Sequence, residues 1–194
     1  MESRKPYDID SLTDVALRVF AERGYDGASM DDVARAAGIT KASIYHHVAG
    51  KEALLARGLD RALAALDGIL AEPGSTRGSA GKRVRFIVRR VAETACSLQP
   101  ELTVLFRLRA VSPVTAAALE RRRAFDRAVA ALIERAQAAG ELSPRIAPGL
   151  AARLIFGASN SIVEWYRPDG SLSPAQLAAA LESLVFEGLG TTKS

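Results

Sequence analysis

Residues 29–51 read SMDDVARAAGITKASIYHHVAGK, the rhythm of a short helix, a tight turn and a second short helix. Ser29 followed by Asp32 marks a helix start, because the hydroxyl can accept an orphan amide, and the acids Asp31 and Asp32 suit the positive end. Val33, Ala34 and Ala37 form the inner side of a helix about two turns long. Gly38 then supplies a sharp turn, since only glycine takes a positive φ there without a Cβ clash. Ala34 and Ala37 let the two helices approach closely, and Ile39, Ile44 and Val48 tie the second helix, from about Lys41 to His47, to an apolar stripe. The outward residues are Thr40, Lys41, Ala42, Ser43, Tyr45, His46 and His47. Short polar side chains at a helix N-terminus suit the base edges of a major groove. Tyr45, His47 and Lys51 can bond or neutralise phosphates, and Lys51 opens the next helix, whose free amides favour an anion.

The rest of the chain reads as helices too. Leu12, Val15, Ala16, Val19 and Phe20 recur at helical spacing, with Asp10 or Ser11 as the expected cap and Gly24 as the stop. A long helix, about 51–71, carries Leu54, Leu55, Leu59, Leu63, Leu66 and Leu70. EPGSTRGSAG, residues 72–81, reads as a loop. Val84, Ile87, Val88 and Val91 mark a fifth helix and Pro100 opens a sixth. Ser112-Pro113 opens a seventh that ends near Gly140, and Leu150 to Ile162 make an eighth. Ser173-Pro174 with Gln176 is a capping box that opens a ninth. The expected fold is all-α, with about nine helices and no strand.

The chain has 194 residues with 48 % apolar and 6 % aromatic content, enough for a core built on alanine and leucine. The single cysteine, Cys96, excludes a disulfide framework and fits a reducing cytosol, so the expected location is cytoplasmic. No apolar run approaches a membrane span, and the polar start, Met1 to Asp10, is not a secretory signal. Catalytic and metal sites are expected to be absent. His46 and His47 are adjacent, so on a helix they point about 100° apart, and no acid or cysteine lies at ligand spacing from them. No glycine-rich phosphate loop or nucleophile elbow occurs.

Charge is unevenly distributed. Residues 1–51 carry seven basic and eight acidic residues, whereas 77–123 carry eleven basic residues against three acidic, net +8. That excess reads either as solvated helix faces or as a site for a polyanionic ligand.

Leu12 to about Leu55 resembles the DNA-binding domain of the TetR family of bacterial transcriptional regulators. The resemblance rests on Ala16, Phe20, Gly24, Tyr25, Val33, Ala34, Ala37, Gly38, Ile39, Ile44, Tyr45, His47, Lys51 and Leu54. The string AxxxGIxxxxIYxHVxxKExL, starting at Ala34, is more specific than a generic helix-turn-helix. Val48 stands where the family usually carries phenylalanine. The resemblance implies that the helix from Thr40 to His47 is the recognition helix, with Tyr45, His47 and Lys51 at DNA-backbone positions. The DNA-facing set is therefore Ser29, Thr40, Lys41, Ala42, Ser43, Tyr45, His46, His47 and Lys51. It further implies a helix-turn-helix domain at 1–51, a linking helix, and a ligand-binding and dimerisation domain at 52–194. The partners expected are double-stranded operator DNA with an inverted repeat, a second copy of the chain, and a small-molecule effector that relieves repression; no membrane is involved.

Small residues beside Leu154, Ile155 and Ile162 in the eighth helix, and the apolar ninth, support dimerisation through those two helices. The segment NSIVEWYRPDGSLSPAQL, residues 160–177, looks similar to the end of the sensor domain in TetR-type regulators of acyl-CoA catabolism. That similarity implies an acyl-CoA thioester as effector, with no resident cofactor. The basic stretch agrees, because arginine binds phosphate bidentately. The expected ligand residues are Arg85, Phe86, Arg89, Phe106, Arg109, Phe125, Phe156, Asn160 and Trp165. A different hydrophobic effector, or none, is the alternative.

Overall fold

The structure is a computed structural model that describes residues 8–189. The expected domain ends at 1–7 and 190–194 lie outside the described residues. Among these, ten α-helices and no strand occur: α1 (Ile9–Arg23), α2 (Met30–Ala37), α3 (Lys41–Tyr45), α4 (Lys51–Ala71), α5 (Pro73–Thr76), α6 (Ala80–Ser97), α7 (Gln99–Phe106), α8 (Pro113–Ala138), α9 (Pro148–Trp165) and α10 (Pro174–Phe186). The all-α reading holds. The helix beyond the expected nine is α5, one turn inside the stretch read as loop. Pro73 sits at its N-terminus, where the missing amide costs nothing. The Ser75 hydroxyl, buried, donates to the Ile69 carbonyl at 2.6 Å and so folds this turn back on the end of α4.

The chain forms two compact units. The first comprises residues to Ala62 together with Pro100–Leu119; the second comprises Leu63–Gln99 with Glu120 onward. The boundary read at 51/52 thus falls inside the first unit, and α4 and α8 each contribute to both.

In the first unit, α1 is capped by Asp8, whose carboxylate accepts from the Ser11 amide at 2.7 Å and from its hydroxyl. The expected caps, Asp10 and Ser11, are two and three residues too late. Asp10 instead pairs with Arg57 and Arg61 of α4 at 2.9 and 3.0 Å, and Asp14 also meets Arg61. Beneath these ion pairs α1 and α4 touch closely. Gly58 lies on Leu17, which is fully buried, and a Cβ at Gly58 would overlap the Leu17 side chain. Leu12, Phe20, Ile44, Leu54 and Leu55 complete this core.

In the second unit α6 packs against α5, α9 and α10. Val84, Ile87, Val88, Val91 and Ala95 give it one continuous buried stripe. The Gly81 amide at its first turn donates to the Glu141 carboxylate at 2.7 Å, and the Ser79 side chain, followed by this amide, holds Glu141 below the usual carboxylate range. The capping box expected at the start of α10 is present: Ser173 and Gln176 bond reciprocally.

Candidate nucleic-acid interface and sensor residues

The helix-turn-helix is fixed at both ends of its turn. Ser29 caps α2, and the reciprocal bond from its own amide to the Asp32 carboxylate closes the capping box at 3.0 Å. Asp32 also accepts from Arg23 at 2.8 Å and Arg35 at 3.1 Å. Bonds from Ser29, then the two guanidinium charges, hold its carboxyl below the ordinary value. Gly38 takes the left-handed conformation, φ 64° and ψ 34°, and its amide closes α2. Thr40 then caps α3: its hydroxyl oxygen accepts from the Ser43 amide at 3.1 Å.

This geometry leaves Thr40, Lys41, Ala42, Tyr45, His46 and His47 exposed, with Ser43 partly so. Ile44, between them, is fully buried and Val48 nearly so, so the expected inner and outer faces of 40–48 are both observed. The helix itself is shorter than expected. It ends at Tyr45, and His46–His47 form a turn whose amides bond back to the Ile44 carbonyl. Val48, just after this turn, is 6 % exposed.

Two of the cations are engaged. Lys41 donates to Asp31 at 2.8 Å, and this bond raises its pKa. Contact with a base or phosphate therefore exchanges one partner for another. Lys51, half-buried, donates to the Tyr25 carbonyl at 2.6 Å and the Ala28 carbonyl at 2.8 Å, and its ammonium lies 4.2 Å from the Tyr25 ring centre. It pins the corner between α1 and α2 with two protons and keeps a third. Sequence reading gave Lys51 a phosphate role and missed this structural one. The clamp is long-range, 26 residues in one case, and a carbonyl acceptor leaves no residue-type signal. The α1–α4 ion pairs had a signal: Asp10 and Asp14, and Arg57 and Arg61, are each spaced four apart.

The nine expected ligand residues fall in both units. Phe106 and Arg109 belong to the first unit, and the other seven to the second. Within the second unit, Phe125 and Phe156 are buried and meet with ring centres 5.5 Å apart. Phe86 lies against Gly74 of α5. Arg85 and Arg89 both reach Glu182 of α10 at 3.4 Å, and the Arg85 guanidinium stacks 4.3 Å from the Phe186 ring centre. Asn160 is half-buried, and Trp165 is 49 % exposed, its indole N–H 3.4 Å from the Ser161 hydroxyl. Arg90 bonds Glu72 and Glu93, and Arg121 bonds Asp67. The run of eleven basic residues is thus divided between two units and partly answered by acids.

Arg122 and Asp126 flank Phe125 on α8, and the sequence reading did not single them out. Burial pulls the Arg122 pKa down against the charge of Asp126, and pushes the Asp126 pKa up against the charges of Arg122, Arg153 and Arg127. A cavity of about 200 Å3 in this unit is lined by Ile133, Gln137, Leu142, Ile155 and Phe186, among others, and by none of the nine. Among the described residues no group of three or more His, Cys, Asp or Glu is placed to hold a metal, and no helix is long and apolar enough to cross a membrane. Cys96 is buried, which pushes its thiol pKa up and makes it a poor nucleophile.

Comparison with known proteins agrees with this geometry. The family model described as bacterial regulatory proteins, tetR family, matches residues 12–57. One described as tetracyclin repressor-like, C-terminal domain, matches residues 77–189. The crystal structure of SCO3833, a TetR transcriptional regulator family member from Streptomyces coelicolor A3, is 46 % identical with a TM-score of 0.89. It covers 97 % of this chain, which covers 94 % of it. The structure of AibR in complex with isovaleryl coenzyme A and operator DNA is similar in fold, with a TM-score of 0.79 at 23 % identity, covering 92 % of this chain and 97 % of its own. The negative transcriptional regulator IcaR of the biofilm operon icaADBC, from Staphylococcus epidermidis, is 37 % identical over 51 residues. That match spans 26 % of this chain and only 28 % of IcaR.

Proposed function

We propose that this chain, which belongs to the TetR family of bacterial transcriptional regulators, is a repressor that binds an inverted-repeat operator as a homodimer and is released by a small effector. Members of this family are DNA-binding regulators and not enzymes. The observation that carries the reading is the turn at Gly38, which leaves Thr40, Lys41, Ala42, Tyr45, His46 and His47 exposed on one module while Ile44 and Val48 anchor it. Thr40, Lys41 and Ala42 read bases; Tyr45, His47 and the remaining proton of Lys51 meet phosphates; Ser29, Ser43 and His46 border the contact. The protein acts in the cytoplasm, where its operator is.

Dimerisation uses α9 and α10. Leu150 and Leu154 on α9 are 52 % and 57 % exposed, Trp165 is 49 % exposed at its end, and Leu184 on α10 is 44 % exposed. Gly157 and Ser161, also exposed, continue the α9 stripe at spacings of three and four and permit close helix approach. Apolar stripes on two helices of one unit are what a symmetric four-helix interface covers.

The effector reading is an acyl-CoA thioester held by the second domain, 52–194, with the helix at 51–71 transmitting its binding to the DNA-binding domain, 1–51. Support comes from the string at 160–177 and from Arg85 and Arg89, whose shared partner Glu182 phosphate groups would displace. Thermal unfolding against a panel of acyl-CoA thioesters, free acids and coenzyme A tests it. A thioester at about 100 times its Kd adds about 2.7 kcal/mol, or roughly 5–11 °C in midpoint. A panel without any shift would remove the acyl-CoA reading and leave the DNA-binding one standing.

A further inference from the structure

Two neighbouring acids lie in the first turn of α2, and they are used differently. The Asp32 side chain is 13 % exposed; it closes the cap with Ser29 and accepts from Arg23 and Arg35. The Asp31 side chain is 61 % exposed and meets Lys41, the first residue of α3, at 2.8 Å. The turn at Gly38 is what brings these two together from ten residues apart. Lys41 is itself 46 % exposed, so a cation and an anion stand side by side on the face that leaves Tyr45, His46 and His47 open.

The neighbouring hydroxyls are engaged with each other. Thr40 accepts from the Ser43 amide at 3.1 Å and lies 2.8 Å from the Ser43 hydroxyl. An ammonium has three protons and a carboxylate about four lone-pair sites, so one shared bond leaves both groups with capacity. The bond also fixes the end of a flexible stem that could otherwise reach any nearby phosphate. When Lys41 leaves for DNA, Asp31 loses its cation and faces the duplex as an unpaired negative charge. That is repulsive unless the duplex offers a donor in place of Lys41. In the major groove the donor that suits a carboxylate is the N4 amino group of cytosine. A G·C pair presents guanine N7 and O6, both acceptors, and then that donor. An ammonium beside a carboxylate matches this order. C·G presents it reversed, and in A·T and T·A acceptors and donor alternate.

Resting on the DNA-binding reading, we propose that Asp31 is a base-reading residue: it and Lys41 together recognise one G·C pair in each half-site, Lys41 donating to guanine O6 or N7 and Asp31 accepting from cytosine N4. On the right sequence the ion pair is exchanged for two base contacts. On any other sequence the exchange leaves the carboxylate without a donor, so the pair stays closed and withholds Lys41 from the duplex. An acid on this face thus lowers affinity for wrong sequences more than for the right one, and discrimination rises. The same logic gives a use to an acid in a module, residues 1–51, that carries eight acidic residues against seven basic.

Selection from random duplexes with the full-length wild type, Asp31→Ala and Lys41→Ala, followed by anisotropy titration of the selected duplex, tests this. Wild type is expected to enrich a half-site with one G·C position that both substitutions relax. The other positions of the half-site persist in both variants and report that each is folded. In titration, replacing that G·C pair by C·G or A·T weakens wild type by roughly fivefold to 150-fold. In Asp31→Ala this penalty shrinks by roughly twofold to twelvefold, the worth of one hydrogen bond. A motif that Asp31→Ala leaves unchanged overturns the assignment. So does an equal gain in affinity for every duplex, which makes Asp31 a plain repulsive charge, and so does relaxation confined to a position other than the one that Lys41→Ala relaxes. Failure of wild type to enrich any duplex is a separate result: it removes the DNA-binding reading itself, and this assignment with it.

Discussion

Replacing Lys51 by methionine keeps the stem and removes the ammonium. The wild-type group donates to Tyr25 and Ala28 carbonyls at 2.6 and 2.8 Å and sits 4.2 Å from the Tyr25 ring centre. Charged hydrogen bonds contribute about 1.5–3 kcal/mol each when well buried; a half-exposed lysine warrants about 1 kcal/mol each. The ring contact adds about 0.5–1 kcal/mol. The loss is therefore about 2.5–3 kcal/mol, or roughly 5–12 °C in Tm for a chain of this size. Urea and thermal unfolding of Lys51→Met against wild type measure it, alongside operator affinity at several salt concentrations. A Tm within a degree of wild type would refute the claim that Lys51 pins the corner. A drop in affinity with a salt slope shallower by about one, at unchanged stability, would assign the residue to phosphate alone.

Gly58→Val forces a branched side chain into buried Leu17 at the α1–α4 contact and should cost about 1–3 kcal/mol in urea unfolding; stability equal to wild type would mean that the two helices part freely. Glu101 is buried, which raises its carboxyl above the ordinary 4.5, with Arg61 opposing from 3.9 Å. The folded protein thus holds this proton more tightly than the unfolded chain, so wild type loses stability as pH rises from 4.5 through the folded pKa. Glu101→Gln carries no such loss, and the stability difference should shift in its favour as pH rises; a difference independent of pH contradicts the burial argument. Glu182→Gln frees Arg85 and Arg89 and should tighten coenzyme A thioester binding by roughly 1.5-fold to fivefold, the worth of a surface ion pair. Unchanged affinity in a direct titration would detach those arginines from the effector.

Local signals carried the DNA-binding module. The Ser29 box, Gly38 at positive φ and the alternation of Ile44 and Val48 with polar neighbours are all written within a few residues, and each is found as read. The caps at Ser173 and Gln176 were legible for the same reason. What escaped depends on distant partners. Asp8 caps α1 in place of Asp10 because Asp10 is drawn to Arg57 and Arg61, 47 and 51 residues on. The α5 turn is held by a hydroxyl on a carbonyl at the end of α4, a contact that glycine and serine content obscures. The ligand set was assembled from residue type, and type does not reveal that Arg109 and Arg85 belong to different units or that Glu182 already holds two of the arginines.

Selection of binding sites from random DNA duplexes by the full chain tests the central claim most directly. A dimer presenting two copies of residues 40–47 should enrich an inverted repeat whose half-sites lie about 34–36 Å apart, or a multiple of that. Lys41→Ala should relax the choice of base within each half-site. Failure to enrich any sequence, or enrichment of a site without two-fold symmetry, would contradict it.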